Sequence, residues 1–127
     1  MTHASLPLKG IRVVEFSHMV MGPTCGLVLA DLGADVVKVE PAPDGDKTRR
    51  LPGSGAGFFG TYNRNKRSIS VNLKSVEGLE FATNLVRASD VLLENFSAGV
   101  LDRLGLGYDA MQEINPSLIY CALKGFL

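Results

Sequence analysis

Short apolar runs alternate along this chain with amphipathic stretches and breaker-rich turns. IRVVEF (11–16), DVVKVE (35–40), SISVNL (68–73) and VLLENF (91–96) have the length and β-rich composition of strands, and SLIYCALKGFL (117–127) predicts a last strand running almost to the terminus. GPTCGLVLADLG (22–33) sets Leu27, Val28 and Leu32 among small residues at spacings that suit a helix pressed on a sheet, with Gly33 as its stop. Ser75 is placed to cap SVEGLEFATNLVRAS, whose apolar stripe is Leu79, Phe81, Ala82, Leu85 and Val86, although Gly78 stands where a capping box would have Glu or Gln. FFGTYNRN (58–65) reads as a short helix or turn, AGVLDRLG (98–105) as a short helix ended by Gly105, and YDAMQEIN (108–115) as another stopped by Pro116.

Strands alternating with helices predict an α/β fold, a Rossmann-like doubly wound, mostly parallel sheet with right-handed crossovers. Such sheets bind ligands beyond the C-terminal ends of their strands. The segments that follow strands therefore carry the functional expectation: SHMVMGP, EPAPDGD, NLKS, ENFSAG and LKGF. PAPDGDKTRRLPGSGAG (41–57) is longer than a simple connection and reads as a lid, or as a segment ordered by a ligand or partner.

Composition narrows the function classes. A chain of 127 residues makes one domain, and with 13 basic and 13 acidic residues it has no net field to attract nucleic acid, so any anion site is local. The two cysteines lie far apart with only two histidines, which suggests neither a metal site nor a disulfide framework; both are expected as buried apolar residues. No apolar run reaches the roughly 18 residues of a membrane span, and the start lacks a signal-peptide plan. A soluble, cytoplasmic protein without a membrane or nucleic-acid partner is expected.

SHMVMGP occupies the place of a phosphate-binding loop, yet it has one glycine and no lysine, so it fits neither the dinucleotide nor the P-loop pattern. Met19, Val20 and Met21 would instead pack against an adenine face or an acyl chain, or belong to the core. His18 has no neighbouring nucleophile and reads first as a structural hydrogen-bond partner. Arg64, Lys66 and Arg67 read as a solvated edge, whereas Lys74, at a strand end beside a helix start, is placed to meet a phosphate. Asn95, Phe96 and Arg103 offer an amide, an aromatic face and a forked cation that could hold a nucleotide, or else a core aromatic and a surface cation.

In order, EFSHMVMGP, LADLGADVVKVEPAPDGD, YNRNKRSISVNLKS and DVLLENFSAGVLDRLGLGYDAMQEINPSLIY resemble the N-terminal part of the class III coenzyme A transferases, the carnitine dehydratase and bile-acid-inducible protein family. The resemblance covers roughly Leu8 to Phe126. It implies that residues 1–127 form the N-terminal Rossmann-like CoA-binding segment of a longer enzyme. That enzyme would be an interlocked homodimer that moves coenzyme A from an acyl-CoA to a small carboxylic acid. Coenzyme A would be a substrate, with no tightly bound cofactor and no metal. By motif position, His18, Met19, Val20 and Met21 would line the coenzyme, Val71 and Lys74 would contact its nucleotide end, and Asn95, Phe96 and Arg103 would complete the site. Some relatives carry an arginine where Pro41 stands and a glutamine where Val20 stands. The family's nucleophilic aspartate lies beyond the matching segment, so no catalytic residue is assigned here and no turnover is expected of these residues alone. Two alternatives remain: an α-methylacyl-CoA racemase-type enzyme, whose usual R-G-K-R-S and E-G-F or E-G-Y differ from Asn63–Ser68 and Glu94-Asn95-Phe96, and a non-catalytic CoA- or nucleotide-binding fragment.

Overall fold

Val13 and Val14, adjacent in sequence, point to opposite faces of a sheet and are both buried, so each face needs a cover. In the computed structural model, which describes residues 5–125, β1 (Arg12–Phe16), β2 (Asp35–Pro41), β3 (Arg67–Val71), β4 (Val91–Glu94) and β5 (Ile119–Ala122) form one sheet. Its order is β3-β2-β1-β4-β5, and every pairing is parallel. Helices α1 (Met21–Asp31), α2 (Phe58–Asn63), α3 (Val76–Arg87), α4 (Val100–Arg103) and α5 (Tyr108–Ile114) complete the fold. Val14, Phe16, Val39 and Leu92 pack with Ala82 and Val86 of α3, Met111 of α5 and Leu101 of α4, while Val13, Val36 and Leu93 meet Ala30 of α1 on the other face. Among the described residues, no helix is long and apolar enough to cross a membrane.

Several expected boundaries and faces shift. β3 begins at Arg67 and ends at Val71, because Asn72–Ser75 closes a turn in which Ser75 N–H donates to the Asn72 carbonyl at 3.1 Å. β5 stops at Ala122, and the end of the predicted last strand, 126–127, lies outside the described residues. On α1 the buried face is Gly22, Pro23, Gly26 and Ala30, while Val28 and Leu32 are exposed. Phe81 of α3 is exposed because the inward stripe runs through Ala82 and Val86, and one residue is a rotation of about 100° away from that stripe. Both cysteines are half-buried rather than buried, at the edge of the α1-side core.

The Ser75 cap forms as expected, its hydroxyl accepting from Gly78 N–H at 3.0 Å. The structure also explains the missing capping-box residue. A Cβ at Gly78 would stand 2.0 Å from the Asn72 carbonyl oxygen, so no side chain fits there.

Candidate functional site

The chain winds from β1 to β2 and β3 in one direction and from β4 to β5 in the other, so strand order reverses between β1 and β4. A crevice opens there, beyond the strands' C-terminal ends. Its sides are the turn Ser17–Val20 after β1 and the segment Asn95–Gly99 after β4. Asn95 joins the two: its Oδ1 accepts from His18 N–H and its amide nitrogen donates to the His18 carbonyl, each at 3.0 Å. Gly22 packs directly beneath, where a Cβ would lie 2.6 Å from Ser17 Cβ and 2.7 Å from Asn95 Cγ. The turn thus needs its glycine for close contact with side chains inside the protein.

Met19 adopts φ +62°, a left-handed conformation that is uncommon for a residue with a Cβ. Its N–H donates to Thr48 Oγ1 at 3.0 Å, and Thr48 N–H donates in turn to Asp46 Oδ1 at 2.8 Å. The segment 41–57, expected as a lid, is held down from within. Asp46 caps a 3-10 turn over Lys47–Arg50, and Glu40 of β2 takes a bidentate pair from Arg49 at 2.7 and 2.8 Å. The Arg49 guanidinium also lies 3.8 Å over the Phe59 ring. These bonds tie Asp46, Thr48 and Arg49 to β2, to the Ser17–Val20 turn and to α2.

Burial alone would raise the pKa of the Glu40 carboxyl. Hydrogen bonds from Arg49, Asp46 N–H and Ser68, together with the Arg49 charge, outweigh that and hold it at about 2, against an ordinary 4.5. A carboxylate depressed in the folded state stabilises the fold above its unfolded pKa and loses that contribution as pH falls toward the folded value. Urea midpoints should therefore decline between pH 4.5 and about 2. Arg49→Met should flatten that decline and cost about 1–3 kcal/mol at neutral pH by stranding a buried carboxylate.

Three cavities open on the crevice. The largest, about 510 Å³, is walled by His18, Met19, Pro41, Thr48, Leu51 and Phe96, with Lys47 at its edge. A second, about 300 Å³, is lined by Val71, Lys74, Ala42 and Leu104 and shares Pro41 and Phe96 with the first. A third, about 190 Å³, lies on the other side of Phe96 and touches His18, Met21 and Asn95. The His18 and Phe96 rings are 5.6 Å apart and tilted, forming the partition.

Of the residues singled out in the sequence, His18, Met19, Met21, Val71, Lys74, Asn95 and Phe96 thus converge on one crevice. Val20 does not line these cavities: it starts α1, its carbonyl accepting from Thr24 N–H at 2.8 Å and Thr24 Oγ1 at 2.7 Å. Arg103 does not line them either and stands exposed near the end of α4, three residues after Val100, which borders the largest.

The sequence reading missed what lies under the turn. Glu15, Lys38 and Asp46 are buried, and the Lys66 side chain is only 1% exposed, although its neighbours Arg64 and Arg67 are 59% and 69% exposed, as a solvated edge should be. Lys66 Nζ lies 3.0 and 2.9 Å from the two Glu15 oxygens and donates to the Pro23 carbonyl at 2.8 Å and Asn63 Oδ1 at 3.1 Å. Burial pulls its pKa below the usual lysine value, and the Glu15 charge opposes that pull. A signal was present in the sequence: Glu15, Lys38 and Glu40 interrupt runs that are otherwise apolar, and a charge in a strand covered on both faces requires a partner.

Over residues 8–127 the sequence matches the family model described as CoA-transferase family III. A formyl-CoA:oxalate CoA-transferase from Rhodopseudomonas palustris is 47% identical over 123 residues, which are 94% of this chain and 29% of that protein. An acyl-CoA transferase from Fusarium pseudograminearum is 42% identical over 131 residues, with the same coverage of 94% and 29%. Among solved structures, a CAIB/BAIF family protein from Brucella suis is 44% identical with a TM-score of 0.88, covering 97% of this chain and 34% of that one. A Mycobacterium tuberculosis protein is 40% identical with a TM-score of 0.90, covering 96% and 34%. The chain spans 29% to 30% of the length of these curated relatives.

Proposed function

The chain belongs to CoA-transferase family III, and from that premise we propose that it supplies the coenzyme A groove of an enzyme that moves coenzyme A from an acyl-CoA thioester to a small carboxylic acid. The observation that carries this reading is the pair of cavities joined at Pro41 and Phe96, where strand order reverses. Coenzyme A is long, with an aromatic base at one end, a slender amide-bearing arm ending in a thiol at the other, and anionic phosphates between them. The joined cavities offer a ligand of that kind an apolar floor with an ammonium group at each part, Lys47 in one and Lys74 in the other. Lys74 immediately precedes the Ser75 cap of the 12-residue helix α3, so its charge and the helix N-terminus favour the same anion. His18, Met19 and Met21 form the β1-side wall, with Val20 behind them where α1 begins, Val71 and Phe96 form the floor, and Asn95 shapes the wall by holding His18. Arg103 is assigned as a second phosphate partner, reached by rotation of its exposed side chain.

In this reading residues 1–127 are the N-terminal CoA-binding segment, and the nucleophilic aspartate belongs to a later part of a homodimeric enzyme. That aspartate attacks the thioester carbonyl to give a mixed anhydride and free CoA thiolate, and the thiolate then takes the aspartyl carbonyl and releases the carboxylate. Calorimetric titration of coenzyme A into the complete gene product tests the groove. Lys74→Ala and Phe96→Ala should each weaken binding by about 1–3 kcal/mol, the scale of a charge-assisted hydrogen bond or a stacked aromatic ring. Unchanged affinity in both variants would place the site elsewhere.

A further inference from the structure

Under the β1-side wall, the sheet face toward α1 changes character along the strands. It is apolar at Val13 and Val36, then charged at Glu15 and Lys38, which are register partners across β1 and β2. Lys38, 1% exposed, is the hub. Its Nζ donates to the Ser17 carbonyl at 2.7 Å and to Ser17 Oγ at 3.1 Å, and it lies 3.1 Å from Asp46 Oδ2 and 3.6 Å from Glu15 Oε1. With Lys66 on the far side of Glu15, two ammonium groups and two carboxylates share the site and their formal charges cancel. Desolvated ions of this kind rarely repay their burial in stability, and a role in fixing geometry is the best-attested reason to keep them.

The bonds form a closed circuit. From Lys38 it passes through the Ser17 carbonyl, along the turn to Met19 N–H, across to Thr48 Oγ1, through Thr48 N–H to Asp46, and back to Lys38. The circuit spans the largest cavity's two opposite sides, the turn with His18 and Met19 and the loop with Thr48 and Leu51. We infer that Lys38 and Asp46 are positioning residues for the groove: their buried ion pair ties the strand-end wall to the loop wall and fixes the width available to the ligand, Lys38 from beneath the cavity and Asp46 from its lining, where it is almost wholly buried. This inference rests on the coenzyme A reading of the cavity.

The test uses the complete gene product, with coenzyme A as the probe and trypsin as the reporter of the loop, whose Lys47, Arg49 and Arg50 are exposed cleavage sites. Lys38→Met with Asp46→Asn removes one charge of each sign, so the remaining Glu15–Lys66 pair stays balanced, and the amide oxygen introduced by Asp46→Asn can still accept from Thr48 N–H. This double variant should fold, be cut faster in the loop, and bind coenzyme A about tenfold more weakly, the order expected when a supporting contact lets a site move by a fraction of an ångström. Thr48→Val cuts the same circuit at the Met19 link with no change of charge and is read if the double variant does not fold. Thr48→Ser should restore both parental cleavage and parental affinity, which a loss of bulk stability would not predict. Leu118→Ala, a core truncation under α5 and β5, controls for stability and should leave affinity at the parental value. Folded variants with parental affinity, or with affinity lost but loop cleavage unchanged, overturn the inference. A parental protein that binds no coenzyme A instead overturns the groove reading and the ligand half of this inference with it, while the cleavage rates still show whether the two walls are tied.

Discussion

Gly26→Ala is expected to destabilise the protein by at least about 3 kcal/mol, the scale of a broken buried ion pair. Helix propensity argues the other way, since alanine in a helix interior is about 1 kcal/mol better than glycine. Sterics decide the sign. A Cβ at Gly26 would stand 1.8 Å from Glu15 Oε2, 2.9 Å from its Cδ and 3.1 Å from Lys66 Nζ. To admit it, either α1 lifts off the sheet or the Glu15 carboxylate leaves its lysine partner, and overpacking alone costs about 1–3 kcal/mol. Gly60→Ala in α2 is the matched control: it meets nothing within 4 Å, and it should be neutral or stabilising by up to about 1 kcal/mol. Urea unfolding of both variants, followed by far-ultraviolet circular dichroism, separates the two effects. A Gly26→Ala protein with the parental midpoint would mean that α1 does not rest on the charged cluster.

The same residue shows where the sequence stopped being legible. Strands were readable because β1, β2 and β4 are short apolar runs bounded by breakers, and their C-terminal ends drew attention to His18, Phe96 and Lys74, which do meet at one crevice. The inward face of α1 was not readable from hydrophobicity. Its fully buried positions are glycine, proline and alanine, chosen for how closely the helix must approach Ser17, Asn95 and Glu15, while Val28 and the capping Leu32 are exposed and Leu29 is half-buried at the core's edge. Asn95 stands at the crevice, and the sequence does not reveal that its amide is already engaged by both the N–H and the carbonyl of His18. The loop 41–57 has the composition of a mobile lid, and its composition does not reveal that Arg49 pairs with buried Glu40, nine residues earlier, or that Thr48 and Asp46 reach Met19 and Lys38. Local composition reports solvent preference; it does not report which distant partner will neutralise a charge.

Lys66 carries that argument to a measurable end. Lys66→Met leaves the buried Glu15 carboxylate with the more distant Lys38 ammonium at 3.6 Å, and strips the donor from the Pro23 carbonyl and Asn63 Oδ1. The expected loss is about 3–5 kcal/mol, because removing one partner of a buried pair leaves an uncompensated charge. Adding Glu15→Gln removes that charge, so the double variant should recover much of the loss, with a coupling energy of about 2 kcal/mol across the cycle. Arg67→Met is the comparison within the same basic run. Its partner Asp35 is exposed, as is Arg67 itself, and an exposed pair contributes about 0–1 kcal/mol. Equal, small losses for Lys66 and Arg67 would return the whole run to the solvated edge that its composition suggests. A large loss at Lys66 alone, rescued at Glu15, would establish that one lysine in this run is an interior residue supporting the crevice.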